Sequence, residues 1–340
     1  MAYRVVITKA GGPNVLDIQE ISIPKPGPNE VCIEVHFAGI NFADTLMRLG
    51  FYRPRPPFPF TPGYEVSGVV YALGDEVEHF EIGQRVVGLM QNGGQASHVV
   101  TDASRTLAIP DDLSLEAAAS MPVIYITAHH MLHHLGNLNP SDSVLIHGGG
   151  GGVGIAALQL CKWMGVSKIW ATASSSKAEI IQSYGAVAID RHNEDFVECV
   201  RSQTDGRGVD HILDPIGGGH LKRSLSVLAE GGKLYTFGMS SAAPSSKRSL
   251  WKAIKALRSR PRFDPMIMMS RNQGVFGVHM GTWSDEKVLQ KQMQNIIKGI
   301  QEGALTPVID SIYMARDVQA AHQHIHDGKN IGKVLLKFVD

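Results

Sequence analysis

The chain has 340 residues, of which 44% are hydrophobic, and its 32 Lys and Arg side chains balance its 32 Asp and Glu side chains. This length predicts two domains, and the zero net charge provides no general attraction for nucleic acid, so no nucleic-acid partner is expected. Cys32, Cys161 and Cys199 suit neither a disulfide framework nor a zinc-ligand cluster, and no apolar run reaches the ~18 residues that span a bilayer, so we expect a cytoplasmic protein.

The N-terminal third predicts a β-rich domain. Short runs rich in Val and Ile alternate with turns rich in Gly and Pro, a pattern typical of a small barrel or sandwich. The predicted strands cover residues 3–8, 17–23, 31–38, 65–73 and 85–89, and a short helix is expected over 41–49. The segment 51–62 contains five prolines and cannot be regular structure. We expect it either to line a cleft beside Tyr52 or to be a rigid surface loop.

Helices and strands alternate after residue 114. A strand at 143–147 and a helix at 153–164 flank a glycine-rich turn, and the units that follow predict right-handed βαβ connections and a doubly wound parallel sheet. The other predicted strands cover 168–173, 187–190, 209–214, 232–238, 274–278 and 333–338, and the other helices cover 115–121, 124–135, 177–184, 194–203, 220–229, 285–302 and 317–326. We expect the last strand to return to the N-terminal domain.

The glycine-rich turn GGGGGVG, residues 148–154, predicts a nucleotide site. Gly149, Gly151 and Gly154 form the G-x-G-x-x-G pattern between a strand and a helix, and Gly152 and Val153 belong to the same predicted binding turn. A turn in this position leaves backbone N–H groups free to bind a pyrophosphate. The alternative is a flexible glycine loop without a ligand.

The residues after the second strand of this unit favour NADPH over NADH. A fold of this type that selects NAD usually carries an acidic residue there. This chain has Ser174, Ser175 and Ser176 instead, followed by Lys177. Hydroxyl groups and an ammonium group suit the 2′-phosphate of NADPH. The alternative is that the serines only cap the following helix.

Several motifs together resemble one superfamily. AGINFADTLMRLGFY, PFTPGYEVSGVV, the glycine-rich turn and DPIGGG are similar to the medium-chain dehydrogenase/reductase superfamily, in its zinc-free quinone oxidoreductase (zeta-crystallin-like) branch. DPIGG, FGMSS, FGVHMG and KNIGKVLL look most like its vesicle amine transport protein subgroup. The resemblance implies an α/β fold, with a GroES-like β-rich catalytic domain at 1–124 and 305–340. Residues 125–304 are then an NADP-binding Rossmann domain, a doubly wound parallel sheet, and the active site lies between the two.

The resemblance also implies roles for single residues. Asn41 and Thr127 are expected near the nicotinamide and the substrate carbonyl, and Tyr52 is the candidate proton donor. Asn41 and Tyr64 stand where zinc-dependent relatives have Cys and His, and neither replaces such a ligand, so no metal is expected. Ordinary packing at strand ends is the alternative for the residues that follow the later strands. The expected cofactor-binding residues are Asn41, Thr127, Gly149, Gly151, Gly152, Val153, Gly154, Ser174, Ser175, Lys177, Arg191, Phe237, Gly238, Met239, Phe276 and Asn330.

Two further patterns leave alternatives open. His129, His130, His133 and His134 form two i, i+4 pairs, a spacing that can chelate a metal ion, but we prefer a partly solvated helix face. Residues 247–262 carry seven basic side chains, no acidic one and apolar residues at helical spacing, which predicts a basic amphipathic helix. Such a helix suits peripheral binding to an anionic membrane. The preferred alternative is a surface helix whose apolar stripe packs on the Rossmann domain.

The predicted function is zinc-independent, NADPH-dependent transfer of a hydride to quinones or α,β-unsaturated carbonyls. Conjugation makes the accepting carbon electron-poor, and the oxygen that becomes negative needs a hydrogen-bond donor. Leu46 replaces a tyrosine that many quinone oxidoreductases have at this position. The alternative is therefore an NADPH-binding adaptor with little or no catalysis that binds a membrane or a protein partner. A homodimer is expected, with the strand at 274–278 as the candidate sheet edge.

Overall fold

The structure is a computed structural model that describes residues 1–339. Its strands form one sheet of two strands, one of six and one of seven. In chain order the strands are β1 (Ala2–Ile7), β2 (Leu16–Ile21), β3 (Glu30–Ile40), β4 (Glu65–Leu73), β5 (Arg85–Leu89), β6 (His98–Asp102), β7 (Thr106–Ala108), β8 (Ser143–His147), β9 (Lys168–Ala173), β10 (Val187–Asp190), β11 (Val209–Asp214), β12 (Leu228–Thr236), β13 (Gly274–Gly277), β14 (Ile309–Met314) and β15 (Lys333–Lys337).

Eleven α-helices connect or cover the strands of the described chain. Proline at the first position of α3 starts that helix two residues before the predicted start, because proline is well accommodated at a helix N-terminus. After α3 the chain continues as a π-helical turn, His130–Leu135. The helices are α1 (Phe42–Leu49), α2 (Leu115–Ser120), α3 (Pro122–His129), α4 (Gly152–Trp163), α5 (Ala178–Ser183), α6 (Phe196–Gln203), α7 (His220–Ser226), α8 (Leu250–Ser259), α9 (Pro265–Arg271), α10 (Glu286–Gln301) and α11 (Val318–His326).

The six-stranded sheet is parallel throughout, with strand order β10-β9-β8-β11-β12-β13. The chain starts in the middle at β8, runs outward to β10, and then crosses back to β11 on the other side of β8. This is the strand order of a Rossmann fold. The predicted doubly wound parallel sheet is confirmed. The largest apolar core packs between this sheet and helices that include α3, α4 and α10.

The seven-stranded sheet combines the N-terminal part of the chain with its C-terminal part. Its order is β14-β15-β3-β4-β5-β7, and β6 also pairs with β3. The final strand β15 runs antiparallel to β3, with Val334 opposite Ile40. A second apolar core packs against this sheet and includes residues of β1 and α11. The domain limits at residues 124 and 305 stay a prediction, but the pairing of β15 brings C-terminal residues to the N-terminal part of the cleft.

Helix α8 corrects one interpretation of the basic segment. The segment is helical, but its large apolar side chains face solvent: Leu250 is 55% exposed and Trp251 is 75% exposed. The face that packs against the protein consists of Ala253 and Ala256. The preferred interpretation, in which the large apolar stripe packs on the Rossmann domain, is therefore wrong. Among residues 1–339, no helix is both long enough and apolar enough to cross a membrane.

Candidate active site

Predicted nucleotide-binding residues from four loops lie together at the carboxyl-terminal end of the six-stranded sheet. The glycine-rich turn follows β8, the serines follow β9, Arg191 follows β10, and Phe237 follows β12. These are the carboxyl ends of parallel strands. The chain reverses direction of winding between β8 and β11, and ligands of open α/β sheets bind in the crevice at such a point.

The glycine-rich turn is built so tightly that side chains do not fit. A Cβ on Gly154 would lie 2.4 Å from the carbonyl oxygen of Gly148, and one on Gly149 would lie 2.7 Å from the Cβ of Ala171. Gly151 is the N-cap of α4, whose first amides have no partner within the helix. These amides and the positive end of the helix dipole fit a pyrophosphate.

Lys177 and Arg191 form the cationic end of this crevice. Lys177 is 8% exposed, and its stem crosses Gly150 so closely that a Cβ there would lie 2.4 Å from Lys177 Cδ. Its ammonium donates to the Asn330 carbonyl oxygen at 2.5 Å. Burial, and then the positive charge of Arg191, lower the pKa of Lys177. A phosphate dianion beside both side chains would relieve this repulsion, so the pair fits a 2′-phosphate.

Ser174 fits the same anion better than it fits a purely capping role. It occupies the N-cap of the short turn at 175–177, but its side chain makes no capping hydrogen bond. Its hydroxyl lies 3.0 Å from the hydroxyl of Ser176, and Ser175 is exposed. The hydroxyl groups are thus at the surface beside Lys177, where a phosphate oxygen can reach them.

Asn41 lies on the other side of the cleft, at the N-cap of α1. Its Nδ2 donates to Glu65 Oε1 at 2.9 Å, and its Oδ1 accepts from Lys333 Nζ at 2.7 Å. Lys333 and Glu65 form an ion pair in which neither side chain is more than 2% exposed. Asp44 accepts from the backbone N–H of Asn41 at 2.8 Å, and burial raises the pKa of Asp44 to about 7. Sequence reasoning missed Glu65 and Lys333, although each is a charged residue at the start of an apolar strand.

Thr127 is joined to the same network through the start of α3. Its hydroxyl donates to the carbonyl oxygen of Val123 at 2.6 Å. The backbone N–H of Val123 in turn donates to Glu65 Oε2 at 2.7 Å. One buried carboxylate therefore contacts Asn41 directly and fixes the helical turn that carries Thr127.

Tyr52 lines a cavity of about 220 Å³. Its ring centroid lies 5.0 Å from that of His279. Tyr64, only 7% exposed, lines the same cavity, and burial raises the pKa of both tyrosines, so both hydroxyls keep their protons at neutral pH. The proline-rich loop contributes Arg55 to this cavity, a residue that sequence reasoning did not select.

The residues that follow β12 and β13 make mixed contacts. A Cβ on Gly238 would lie 2.6 Å from the carbonyl oxygen of Pro215, so the loops after β11 and β12 touch at this glycine. Met239 packs beside α8. Phe276 stacks on Tyr235, with ring centroids 5.6 Å apart. The stacking of Phe276 on Tyr235 is explained by ordinary packing at a strand end, the alternative to a role in cofactor binding.

The histidines of α3 and its π-helical extension stack in pairs. The rings of His129 and His133 lie 4.3 Å apart at 8°, and those of His130 and His134 lie 4.8 Å apart. Burial lowers the pKa of His129 to about 3 and that of His130 to about 4. Both therefore stay neutral at physiological pH, and because they are only 6% and 2% exposed, the preferred interpretation of a partly solvated helix face is wrong for these two rings.

A different set of side chains comes closest to a metal-ligand cluster. Among residues 1–339, ligand atoms of three His, Cys, Asp or Glu residues gather only at His147, Asp214 and His220, within 4.8 Å of one another. The hydroxyl of Ser224 lies between them, 3.2 Å from His147 Nε2 and 2.8 Å from Asp214 Oδ2. The arrangement is a hydrogen-bond network at the carboxyl ends of the two central strands, β8 and β11.

Comparison with known proteins identifies the family. The family models described as alcohol dehydrogenase GroES-like domain and zinc-binding dehydrogenase match residues 27–111 and 184–336. The rat synaptic vesicle membrane protein VAT-1 homolog is 34% identical over 336 residues, 98% of this chain and 83% of that protein. The chain belongs to the medium-chain dehydrogenase/reductase superfamily. Human quinone oxidoreductase, 30% identical over 98% of this chain and 96% of its own length, indicates the quinone oxidoreductase branch near the VAT-1 proteins.

A solved structure of this superfamily carries the cofactor. Escherichia coli quinone oxidoreductase complexed with NADPH matches 99% of this chain and 100% of its own, at 27% identity and a TM-score of 0.87. The predicted GroES-like domain, Rossmann sheet and NADPH are confirmed. This member of the medium-chain dehydrogenase/reductase superfamily is an NADPH-dependent oxidoreductase.

Proposed function

We propose that the protein reduces quinones or α,β-unsaturated carbonyls without zinc. The observation that carries the proposal is the chemistry of Asn41 and Tyr64, which stand at the zinc-ligand positions of zinc-dependent relatives. Asn41 offers an amide held by charged partners, and Tyr64 offers a protonated phenol. Neither supplies the thiolate or imidazole that zinc binds. The name of the human relative, quinone oxidoreductase, supports the substrate class.

Different residues of the cleft bind the cofactor and the substrate in this reaction. NADPH, when bound, supplies the hydride, which goes to a carbon made electron-poor by conjugation. The first amides of α4 hold the pyrophosphate, and Ser174, Lys177 and Arg191 hold the 2′-phosphate. On the substrate side, Asn41 donates an N–H to the carbonyl oxygen, which becomes negative as the conjugated carbon gains the hydride. Tyr52, protonated at neutral pH, then gives that oxygen a proton, which solvent replaces.

Steady-state oxidation of NADPH tests the proposal. We expect turnover with benzoquinones, naphthoquinones or 2-alkenals, no turnover with the matching saturated carbonyls, and no change when a zinc chelator is present. The saturated carbonyls are the matched control because they lack only the conjugation. Tight binding of NADPH without turnover of any conjugated acceptor would contradict the proposal and favour the adaptor alternative. Loss of activity on chelation would contradict zinc independence.

A second role, peripheral binding to an anionic membrane, is supported by the surface of α8. Leu250, Trp251, Ile254 and Leu257 are between 43% and 75% exposed. The same helix and its flanks carry seven basic residues and no acidic one between positions 247 and 262. Exposed apolar side chains beside lysine and arginine match a bilayer interface with anionic headgroups. The oxidoreductase would then act on substrates that partition into the membrane.

We also propose a homodimer through β13. This strand is at one edge of the six-stranded sheet, so its outer backbone groups have no neighbouring strand within the described chain. Helix α9 directly precedes it and has no buried residue, with Met266, Ile267 and Met269 each more than 60% exposed. A second copy placed across this edge would cover both the strand and the apolar helix.

A further inference from the structure

The partners of Asn41 determine which way its amide points. The Lys333 ammonium has only donors, so the side-chain oxygen Oδ1 must face it, at 2.7 Å. The Glu65 carboxylate only accepts, so Nδ2 must face it, at 2.9 Å. A flipped amide would replace two hydrogen bonds by two repulsive contacts with buried charges. The charges of Lys333 and Glu65 therefore determine the orientation of the Asn41 amide.

The same contacts decide what Asn41 can offer to a ligand. Oδ1 accepts from Lys333, and Asn41 also stands at the N-cap of α1, in a capping box with Asp44. One N–H of Nδ2 is used by Glu65. The second N–H is the polar group of this side chain that is left for a ligand, and Asn41 is 9% exposed. A substrate in the cleft meets a donor at this position.

The fold reserves space for the network. A Cβ on Gly39 would lie 2.5 Å from Glu65 Oε1 and 2.8 Å from Lys333 Cε, so a larger residue on β3 would displace the ion pair. The other carboxylate oxygen of Glu65 is held by the backbone N–H of Val123. Strands β3, β4 and β15 and helix α3 thus fix the two charged residues before any ligand binds.

We propose that Lys333 and Glu65 are positioning residues that lock the Asn41 amide with a donor N–H, and no acceptor, toward the substrate. The inference rests on the proposed function, in which Asn41 contacts the carbonyl oxygen of a quinone or enone. That oxygen becomes negative as the hydride adds to the conjugated carbon, and a preorganised N–H stabilises it. An amide oxygen in the same place would repel it. The buried ion pair therefore acts on the reaction through the orientation of one amide.

A double substitution reverses this polarity and conserves charge and shape. In the Asn41→Asp, Glu65→Gln variant, the new carboxylate keeps an ion pair with Lys333. The new amide at position 65 can accept from Val123 and donate to position 41. We expect kcat to fall by about 100-fold, the loss typical of removing one donor from a developing oxyanion. The Kd for NADPH should change much less than kcat, because the predicted phosphate-binding residues are untouched, and Tm should stay close to that of the wild type.

Two further variants bracket this result. Lys333→Arg keeps a buried cation that can only donate, so we expect it to retain most of kcat. Asp210→Asn is the matched control, because it makes the same carboxylate-to-amide change at the amino end of β11, away from the strand ends that form the cleft. A double variant with wild-type kcat would overturn the proposal. Parallel losses of kcat, NADPH affinity and Tm would also overturn it, because they would show a purely structural role.

The orientation can be measured without turnover, which separates this inference from the proposed function. In protein labelled with ¹⁵N-asparagine, the Asn41 side-chain signals are those lost in the Asn41→Asp, Glu65→Gln variant. We expect the Nδ2 proton that faces Glu65 to exchange with solvent at least about tenfold more slowly than exposed asparagine amides. Rapid exchange of both Nδ2 protons would refute the lock. A protected amide in a protein that reduces no conjugated acceptor would support the lock and contradict the proposed function.

Discussion

At the scale of single residues, the cofactor end of the cleft depends on Lys177, whose side chain is held by contacts within the protein even without a cofactor. The sequence predicts that Lys177 meets a 2′-phosphate, because of its charge and its place after β9. It does not predict that the stem of Lys177 lies across Gly150, or that its ammonium reaches Asn330. Those contacts hold the charge beside Arg191, and burial, followed by the positive charge of Arg191, lowers the pKa of Lys177.

Removing Lys177 should therefore change cofactor preference. In Lys177→Ala we expect the Kd for NADPH to rise by about 10- to 100-fold, which corresponds to the loss of one charge-assisted hydrogen bond of about 1.5–3 kcal/mol. The Kd for NADH, which lacks the 2′-phosphate, should change little. Isothermal titration calorimetry with both cofactors measures the difference. The control is Lys168→Ala, at the opposite end of β9, and equal losses for NADPH and NADH would contradict the assignment.

The hydrogen-bond partners of Asn41 are distant from it in sequence. Its position beside the substrate is implied by a motif around residue 41, but the motif does not contain its partners. Lys333 is 292 positions away in sequence, and Glu65 is 24 positions away. Only the structure shows that Lys333, the first residue of β15, is buried, and a buried lysine needs a buried partner.

At the scale of elements, α8 shows why periodicity leaves a helix face undecided. Its sequence has two apolar faces, one of large residues and one with Ala253 and Ala256. Burial of the larger face is the usual expectation, since it removes more apolar area from water. Here the small alanines let the helix approach Met239 and Phe51 closely. The large side chains are left for another partner, and the basic residues indicate an anionic one.

The membrane role of α8 predicts co-sedimentation with anionic vesicles. Charge reversal should weaken binding to phosphatidylserine vesicles by at least about 100-fold, since each of the three basic residues contributes about 1 kcal/mol near the surface and the acidic replacements are repelled. Neutral phosphatidylcholine vesicles should bind little of either protein. The reversed residues are Lys252, Lys255 and Arg258. The matched control reverses three exposed lysines of α10, namely Lys287, Lys291 and Lys298.

Two outcomes of that experiment decide the role. Equal binding by the wild type and the α8 variant would rule out this surface as the membrane contact. Equal loss in the α10 variant would show an unspecific effect of net charge. Light scattering of the lipid-free protein, compared with the chain mass of 36.9 kDa, checks in the same samples whether a second copy covers α9.

Several elements were accessible from sequence only in part. Strands such as β4, β8 and β11 have the predicted bounds, because each is a compact Val- and Ile-rich run ended by turn residues. β14 and α9 were not predicted. β14 mixes polar and apolar residues and is held by its pairing with β15, and α9 makes no buried contact that a pattern would reveal.

At the scale of the whole molecule, buried neutral histidines link stability to pH. Burial lowers the pKa of His129 and His147 to about 3, that of His130 to about 4, and that of His322 well below its usual value. The unfolded chain protonates these rings below pH ~6.5, whereas the folded protein does not. Their stabilising contribution is therefore complete above pH ~6.5 and is lost as the pH falls toward 3.

One buried carboxyl acts in the opposite direction. Burial raises the pKa of Asp44 from 3.8 to about 7, so this group costs stability above pH ~3.8, and acidification below pH 7 relieves that cost. A single group opposes four, and we expect net destabilisation by acid. The Tm should fall by about 5 °C or more between pH 7 and pH 5.

Differential scanning fluorimetry across this pH range tests the expectation. The control variant is His322→Leu, because both ring nitrogens of His322 have no hydrogen-bond partner within residues 1–339. Removing that ring should make the fall in Tm shallower without lowering Tm at pH 7. A Tm that stays constant or rises on acidification would contradict the assignment of neutral buried histidines.

The sequence by itself determined the class of the molecule and the type of cofactor. These properties follow from local signals: the strand and helix periods, the glycine pattern, and the serines and lysine after β9. Such signals depend only on residues that are adjacent or close in sequence. The tertiary structure alone decided which face of α8 packs and how the amide of Asn41 is oriented. Those outcomes depend on contacts between strands and helices that are far apart in the chain. The space left by Gly39 admits the Glu65–Lys333 pair, and the small side chains of Ala253 and Ala256 allow α8 to pack on that face.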